Sequence, residues 1–194
     1  MTSDCRTFRA TTAAAVVGML GLGCASAGGS RYLHPNVDLA ALKTAAVLPF
    51  ENLTADRTAA DKVQKIVVTE LLALGVFEVV EPGTVVKAIR AERAESPEAL
   101  GPAELQKVGA ACKADVLFLG AVVDFADNRV GQTPAPEVTI QLRMVETQSG
   151  VTVWSSSRTR SGAGTMARLF GIGGDSVTEA ARQLVRGELR TLLQ

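Results

Sequence analysis

From residue 43 onward the apolar positions switch between unbroken runs, strict alternation and a three-to-four spacing, and each switch marks an element. The run KTAAVLPF (43–50) predicts a buried strand. ENLTADRT follows as a loop of turn and cap residues. Ala59, Val63, Ile66, Val67, Leu71 and Leu74 then share one helical face, with Thr58 placed as N-cap and Gly75 as terminator. VFEVVE (76–81) predicts a second strand. Pro82 suits the first turn of a helix through GTVVKAIRAE, and Pro102 opens another that ends near Cys112.

In ADVLFLGAVVDFADN (114–128) both alternating sets are apolar, Val116, Phe118 and Val122 on one side and Leu117, Leu119 and Val123 on the other. That predicts a strand covered on both faces. PEVTIQLRMVE (136–146) alternates cleanly, with Val138, Ile140, Leu142 and Met144 opposite Thr139, Gln141 and Arg143. TQSG is a hairpin turn and VTVWSSSRTR (151–160) returns, Trp154 alternating out of the Val151/Val153 set. The last helix runs through DSVTEAARQLVRGELRTLL, with Ser176 and Glu179 at capping-box spacing and Val177, Ala181, Leu184 and Val185 as its apolar stripe. The order β-α-β-α-α-β-β-β-α predicts an α/β fold with an α+β leaning. Its mixed five-stranded sheet ends in an antiparallel meander, and helices pack on it.

The first 42 residues follow a different pattern. Arg6 and Arg9 form a basic start, Ala13 to Leu22 an apolar stretch of signal-peptide length, and Gly21 and Gly23 a small-residue approach to Cys24. The stretch is shorter than the roughly 20 residues a membrane-spanning helix needs. This order resembles a bacterial lipobox, so residues 1–23 are expected as a signal peptide, 24–42 as a lipidated Cys24 with a short tether, and 43–194 as the periplasmic domain. A rival cleavage after Ala27 would give a soluble periplasmic chain. A flexible tether over 25–42 would reach about 24 Å. Cys5 leaves with the signal, Cys24 takes the lipid, and Cys112 remains as a small buried hydrophobe.

The wording AAVLPFENLTAD, LLALGVFEVVE, ADVLFLGAV and VETQSGVTVWSSS, in that order, resembles the domain shared by the curli secretion channel CsgG, the penicillin-binding-protein activator LpoB and the amino-terminal domain of TolB. The resemblance spans nearly all of 43–194 and is closest to the small lipoproteins of that group. It implies a non-enzymatic periplasmic module acting through protein contacts. The tight TQSG turn and the short NRVGQTPAP segment argue against membrane-spanning hairpins, which need about 9–11 residues per strand. The short tether argues against direct activation of a synthase across the periplasm.

Candidate chemistry is sparse. His34 is the one histidine and falls in the tether, so no His/Cys metal set is available, and no nucleophile elbow or Walker sequence occurs. GIGGDS (171–176) lacks the dinucleotide spacing and reads as a helix lead-in. Glu51, Asn52 and Asp56 lie beyond the first strand, where open α/β sheets bind ligands, and better suit a loop that caps the next helix. Arg182, Arg186 and Arg190 form a basic stripe. It is a solvated face balanced by Glu179 and Glu188, or a surface for anionic lipid or an acidic partner. Met166, Leu169, Phe170 and Ile172 stand in a glycine-rich segment and either tuck under the sheet or, with Trp154, form the candidate partner contact. The net charge of zero argues against nucleic acid.

These features converge on a lipid-anchored protein on the periplasmic face of the outer membrane, since Ala rather than Asp follows Cys24. Such a protein would support an envelope assembly through self-association and partner binding. The alternative is a periplasmic small-ligand module using the 51–56 loop. No cofactor or metal is expected beyond the covalent lipid on Cys24.

Overall fold

The computed structural model describes residues 29–93, 96–130, 133–161 and 175–193. Seven strands form one sheet: β1 (Gly29–Leu33), β2 (Thr44–Val47), β3 (Glu51–Asn52), β4 (Glu78–Val79), β5 (Val116–Val130), β6 (Thr133–Glu146) and β7 (Thr152–Ser161). Four described helices accompany them: α1 (Ala59–Leu74), α2 (Pro82–Ala91), α3 (Pro102–Cys112) and α4 (Val177–Leu189). The sheet order is β1-β7-β6-β5-β2-β4, with β3 also on β5. β2, β3 and β4 make the parallel part, and β5, β6, β7 and β1 the antiparallel part. The mixed sheet with its C-terminal meander therefore stands, with two more strands than expected.

Both extra strands have local causes. Pro49 has no N–H to donate, so the predicted 43–50 strand breaks there and resumes against β5 at Glu51. Leu48 N and Leu53 N still donate to Phe118 O and Val122 O on either side of the break. The second case corrects the tether. Residues 29–33, expected as linker, pair antiparallel with β7 from Gly29–Arg158 to Leu33–Trp154. A short 3-10 turn at Leu39–Ala41, capped by Asp38, leads into β2.

Local chemistry ends the helices where the sequence signals them. Gly75 sits at φ 67° and its N–H reaches Leu71 O. Ser176 Oγ accepts from Glu179 N at 3.2 Å. Pro82 and Pro102 occupy first helical positions. Thr58 is an exception, for its side chain makes no cap bond. Asp56 caps instead, its Oδ1 accepting from Thr58 N at 2.8 Å.

The sheet divides its helices between two faces. α1 and α4 cover Val116, Phe118, Val122, Ile140, Met144 and Trp154. α2 and α3 cover Ala46, Leu48, Leu117, Leu119 and Val145. Each fully buried Leu or Phe in these layers contributes about 1.5–3 kcal/mol. Coverage of both faces of β5 thus holds from Val116 to Leu119. Beyond Leu119 the second face carries Ala121, Gln141, Arg143 and Ser155 with none of α1 to α4 over them, and the short 3-10 turn at Pro97–Ala99 borders them through Glu98.

Two irregularities reset the alternation. β5 carries an extra residue at Val123, and β7 one at Val153 opposite the Met144–Val145 step. Val153 and Trp154 therefore both enter the α1/α4 layer, while Val151 is left exposed. β5 and β6 also run further than expected, through the NRV and TPAP segments. The part of the ribbon beyond the Glu137–Ser161 pair extends only Asp127–Val130 and Thr133–Pro136, about 13 Å. That remains too short to cross a bilayer.

Two glycines in helices separate opposite effects. A Cβ on Gly109 would overlap the side chain of Thr147, whereas one on Gly187 would meet nothing within 4 Å. Gly109→Ala is expected to destabilise by about 1–3 kcal/mol and Gly187→Ala to stabilise by about 0.4–1 kcal/mol. Chemical-denaturation midpoints of the two variants, moving in opposite directions, check this.

Candidate functional site

The 51–56 loop is organised around its own polar groups. Asn52 Oδ1 accepts from Thr54 N at 3.0 Å and Thr54 Oγ1 at 2.9 Å, and Asn52 Nδ2 donates to Asp56 O at 2.8 Å. Asp56 Oδ1 accepts from Thr58 Oγ1 at 2.7 Å, and Asp56 Oδ2 from Lys62 Nζ at 2.9 Å. The Thr58 hydroxyl and then Lys62 hold the Asp56 carboxyl down to about 2. Lys62 also lies over the Phe125 ring, 5.5 Å from its centroid. Asn52 and Asp56 thus act as a helix-capping knot on α1, and their hydrogen-bonding capacity is largely spent.

Glu51 is placed differently. It stands beside Ala121 on the uncovered side of the sheet and borders a groove of about 220 Å³. Leu53 and Glu98 form its other walls, and Gln141, Arg143 and Ser155 part of its floor. Arg143 Nη2 donates to Glu98 Oε2 at 2.7 Å. One cation is therefore already matched, and Glu51 is the acid left facing the groove. The sequence brought Glu51 forward with Asn52 and Asp56, and the fold separates it from them.

The basic stripe on α4 is also divided. Arg186 makes a two-pronged contact with Glu70 on α1, Nε to Oε2 at 2.8 Å and Nη2 to Oε1 at 3.1 Å. Glu70 is 4% exposed, and its bonds push the Arg186 guanidinium up further. Arg182 donates to Glu179 one turn away on the exposed side. Arg190 follows the helix as its C-cap. Arg186 is thus committed to tying α1 to α4.

Trp154 is fully buried between the sheet and the helices, so it is a core residue in this chain rather than a surface contact. The bulge at Val153 is the reason. Met166, Leu169, Phe170 and Ile172 lie outside the described residues, as do Cys24 and most of GIGGDS. His34 Nδ1 accepts from Asn36 N within the turn after β1. Cys112 is buried, and burial pushes its thiol up, away from the reactive thiolate.

One polar cluster was missed in the sequence. Glu188, 2% exposed, accepts from Ser156 Oγ and lies 2.6 Å from Arg158 Nε, a charge contact rather than an aligned hydrogen bond. The signal was its position. Glu188 continues the Ala181–Leu184–Val185 stripe, so it had to face the sheet. Arg158 in turn packs over Gly29, where a Cβ would come within 3.0 Å of Nε.

Helices on both faces of the parallel half and, among the described residues, on one face of the antiparallel half define a module of α/β type. A family model described as peptidoglycan-synthase activator LpoB matches residues 34–159, and the chain belongs to that family. Its membership places it in the CsgG/LpoB/TolB amino-terminal-domain-like group, as a non-enzymatic, envelope-associated protein. No curated protein matches the chain.

Among solved structures, the PelC dodecamer from Paraburkholderia phytofirmans is similar at a TM-score of 0.58 and 17% identity, covering 85% of this chain and 96% of that one. Lipoprotein GNA1162 from Neisseria meningitidis is similar at 0.52 and 14%, covering 77% and 99%. The hypothetical protein CT253 from Chlamydia trachomatis is similar at 0.52 and 8%, covering 78% and 95%. These likenesses establish the fold.

Two outcomes follow from the paired charges. Asp56 is more acidic folded than the reference 3.8, so its contribution is complete above that pH and is lost as pH falls through about 2. The gap in urea midpoint between the wild type and Asp56→Asn should therefore shrink between pH 4 and pH 2. Arg186→Ala strands the buried Glu70 and should lower the urea midpoint clearly. Arg182→Ala should cost no more than about 0.5 kcal/mol. Equal effects from the two would contradict the division of the stripe.

Proposed function

We propose that the chain is a lipid-anchored protein on the periplasmic face of the outer membrane that supports assembly of a cell-envelope complex by self-association and partner binding. The match of residues 34–159 to a family of synthase activators carries this reading. Activators of that kind work through contact, and the polar groups of this domain are spent mostly on its own loops and helix pairs. The likeness in fold to the PelC dodecamer is compatible with self-association. The small-ligand alternative loses ground, because Asn52 and Asp56 are engaged in capping α1.

The start of β1 changes the reach of the anchor. Only four residues lie between Cys24 and Gly29, five Cα–Cα steps or at most about 18 Å of chain. A partner must then come to the membrane surface to be touched, which suits an outer-membrane assembly better than a distant inner-membrane enzyme.

The test is in-cell photocrosslinking from position 170, with adducts identified by mass spectrometry, together with fractionation of Cys24→Ser. Adducts to the chain itself or to one envelope protein, and a shift of the variant out of the membrane fraction, are expected. Wild-type chain in the soluble fraction would overturn the anchor. Position 170 without adducts would remove the 166–172 segment as the contact.

A further inference from the structure

The sheet has two free edges, and they differ in charge. Among the described residues nothing pairs with the outer side of β1 or of β4. All five residues of β1 are exposed, including Tyr32 at 47% and Leu33 at 41%, and Val151 at 46% follows the nearby β6–β7 turn. A strand edge in this state is a template for another strand. β1 (GSRYL) carries one cation, Arg31, and no acid. The β4 segment (VFEVVE) carries Glu78 and Glu81 and no cation.

We infer that copies of this chain associate head to tail, β1 of one adding antiparallel to the β4 edge of the next. This rests on the self-association reading above and names the surface it uses. The strand directions allow it, because β4 runs parallel to β2 and β5, whereas β6, β7 and β1 each reverse the one before.

The backbone parity supports one register. His34 N donates inward to Val153 O, so by alternation Gly29, Arg31 and Leu33 turn their backbone groups outward. Glu78 N and Val80 N donate inward to Lys43 O and Ala45 O, which turns Phe77 and Val79 outward. Setting outward groups opposite one another pairs Leu33 with Phe77, Arg31 with Val79 and Gly29 with Glu81. The side-chain faces agree independently. Leu33 shares the face of Trp154, and Phe77 lies in the same α1/α4 layer. In this register Arg31 is diagonal to Glu81, and Tyr32 stands opposite Glu78 on the other face.

Like-with-like pairing is worse on both edges. In-register β1 pairing of two copies sets Arg31 against Arg31, and β4 pairing gathers four carboxylates. A contact between two different edges is heterologous, so it closes a ring or propagates a filament instead of stopping at a dimer.

The test places cysteines at Tyr32 and Glu78, both exposed, in the full chain expressed with its leader in an oxidising envelope. Directly opposed residues of a non-hydrogen-bonded pair have Cα atoms about 4.5 Å apart, within the disulfide range of about 4.4–6.8 Å. The double variant Tyr32→Cys/Glu78→Cys should give a reducible ladder on a non-reducing gel, and each single variant should run as the wild type. Arg31→Glu should abolish the native oligomer, and adding Glu81→Arg should restore it. A dimer from Tyr32→Cys alone would overturn the proposal in favour of β1–β1 pairing. No ladder from the double variant, with wild-type oligomers still trapped by a chemical crosslinker, would overturn the edge contact and leave self-association standing. A wild type that the crosslinker leaves monomeric would overturn both. Reduced double variant melting within a few degrees of wild type shows that the fold is intact.

Discussion

Everything else in this fold is arranged around the demand that β5 makes. It is paired on both sides, in parallel with β2 and β3 and antiparallel with β6, so its backbone needs no further partner. From Val116 to Leu119 both of its faces are apolar, and each must be removed from water. The two helix layers answer that demand. α1 and α4 take one face and α2 and α3 the other, and Phe77 meets Phe118 edge to face at 5.8 Å. Where β5 becomes mixed, past Leu119, the second layer stops among the described residues.

The helix layer over the antiparallel half is fastened by acids rather than by fat alone. Glu70 and Glu188 are both nearly buried, and each is matched by an arginine from another element, Arg186 and Arg158. Such pairs add little net stability against an apolar alternative, but losing one partner is costly. Their effect is to fix position: α4 is held near its C-terminal end to α1 through Arg186 and to β7 through Glu188. The helix layer is thereby held in one position against the sheet.

How much of this could be read from the sequence follows from the range of each interaction. Gly75, Pro82, Pro102 and the Ser176–Glu179 pair act within one helical turn, and the helices begin and end at them. β1 was not legible, because five exposed residues carry no burial pattern and owe their conformation to β7, more than a hundred residues away. The bulge at Val153 defeated the alternation rule and hid Trp154 in the core. Glu188 read as a surface charge balancing the basic stripe, and Glu70 carried no local sign of its partner on another element. In the candidate site, the capping role of the 51–56 loop was legible, although Thr58 rather than Asp56 was placed as the N-cap, while the groove beside Glu51 depended on which way the sheet faced.

The bulges have a consequence for how chains of this shape vary in length. In β5, β6 and β7 the pleat assigns every residue to a face, so losing one residue turns the remainder of that strand inside out. Val123 and Val153 are the exceptions, since each is a surplus opposite a regular partner strand. A lineage can drop either one and keep Asp124, Phe125, Trp154 and Ser156 against the same partners. Single-residue gaps between relatives therefore belong at these two sites or in the turns. An alignment that opens one elsewhere in the meander has exchanged the inside of the protein for its outside.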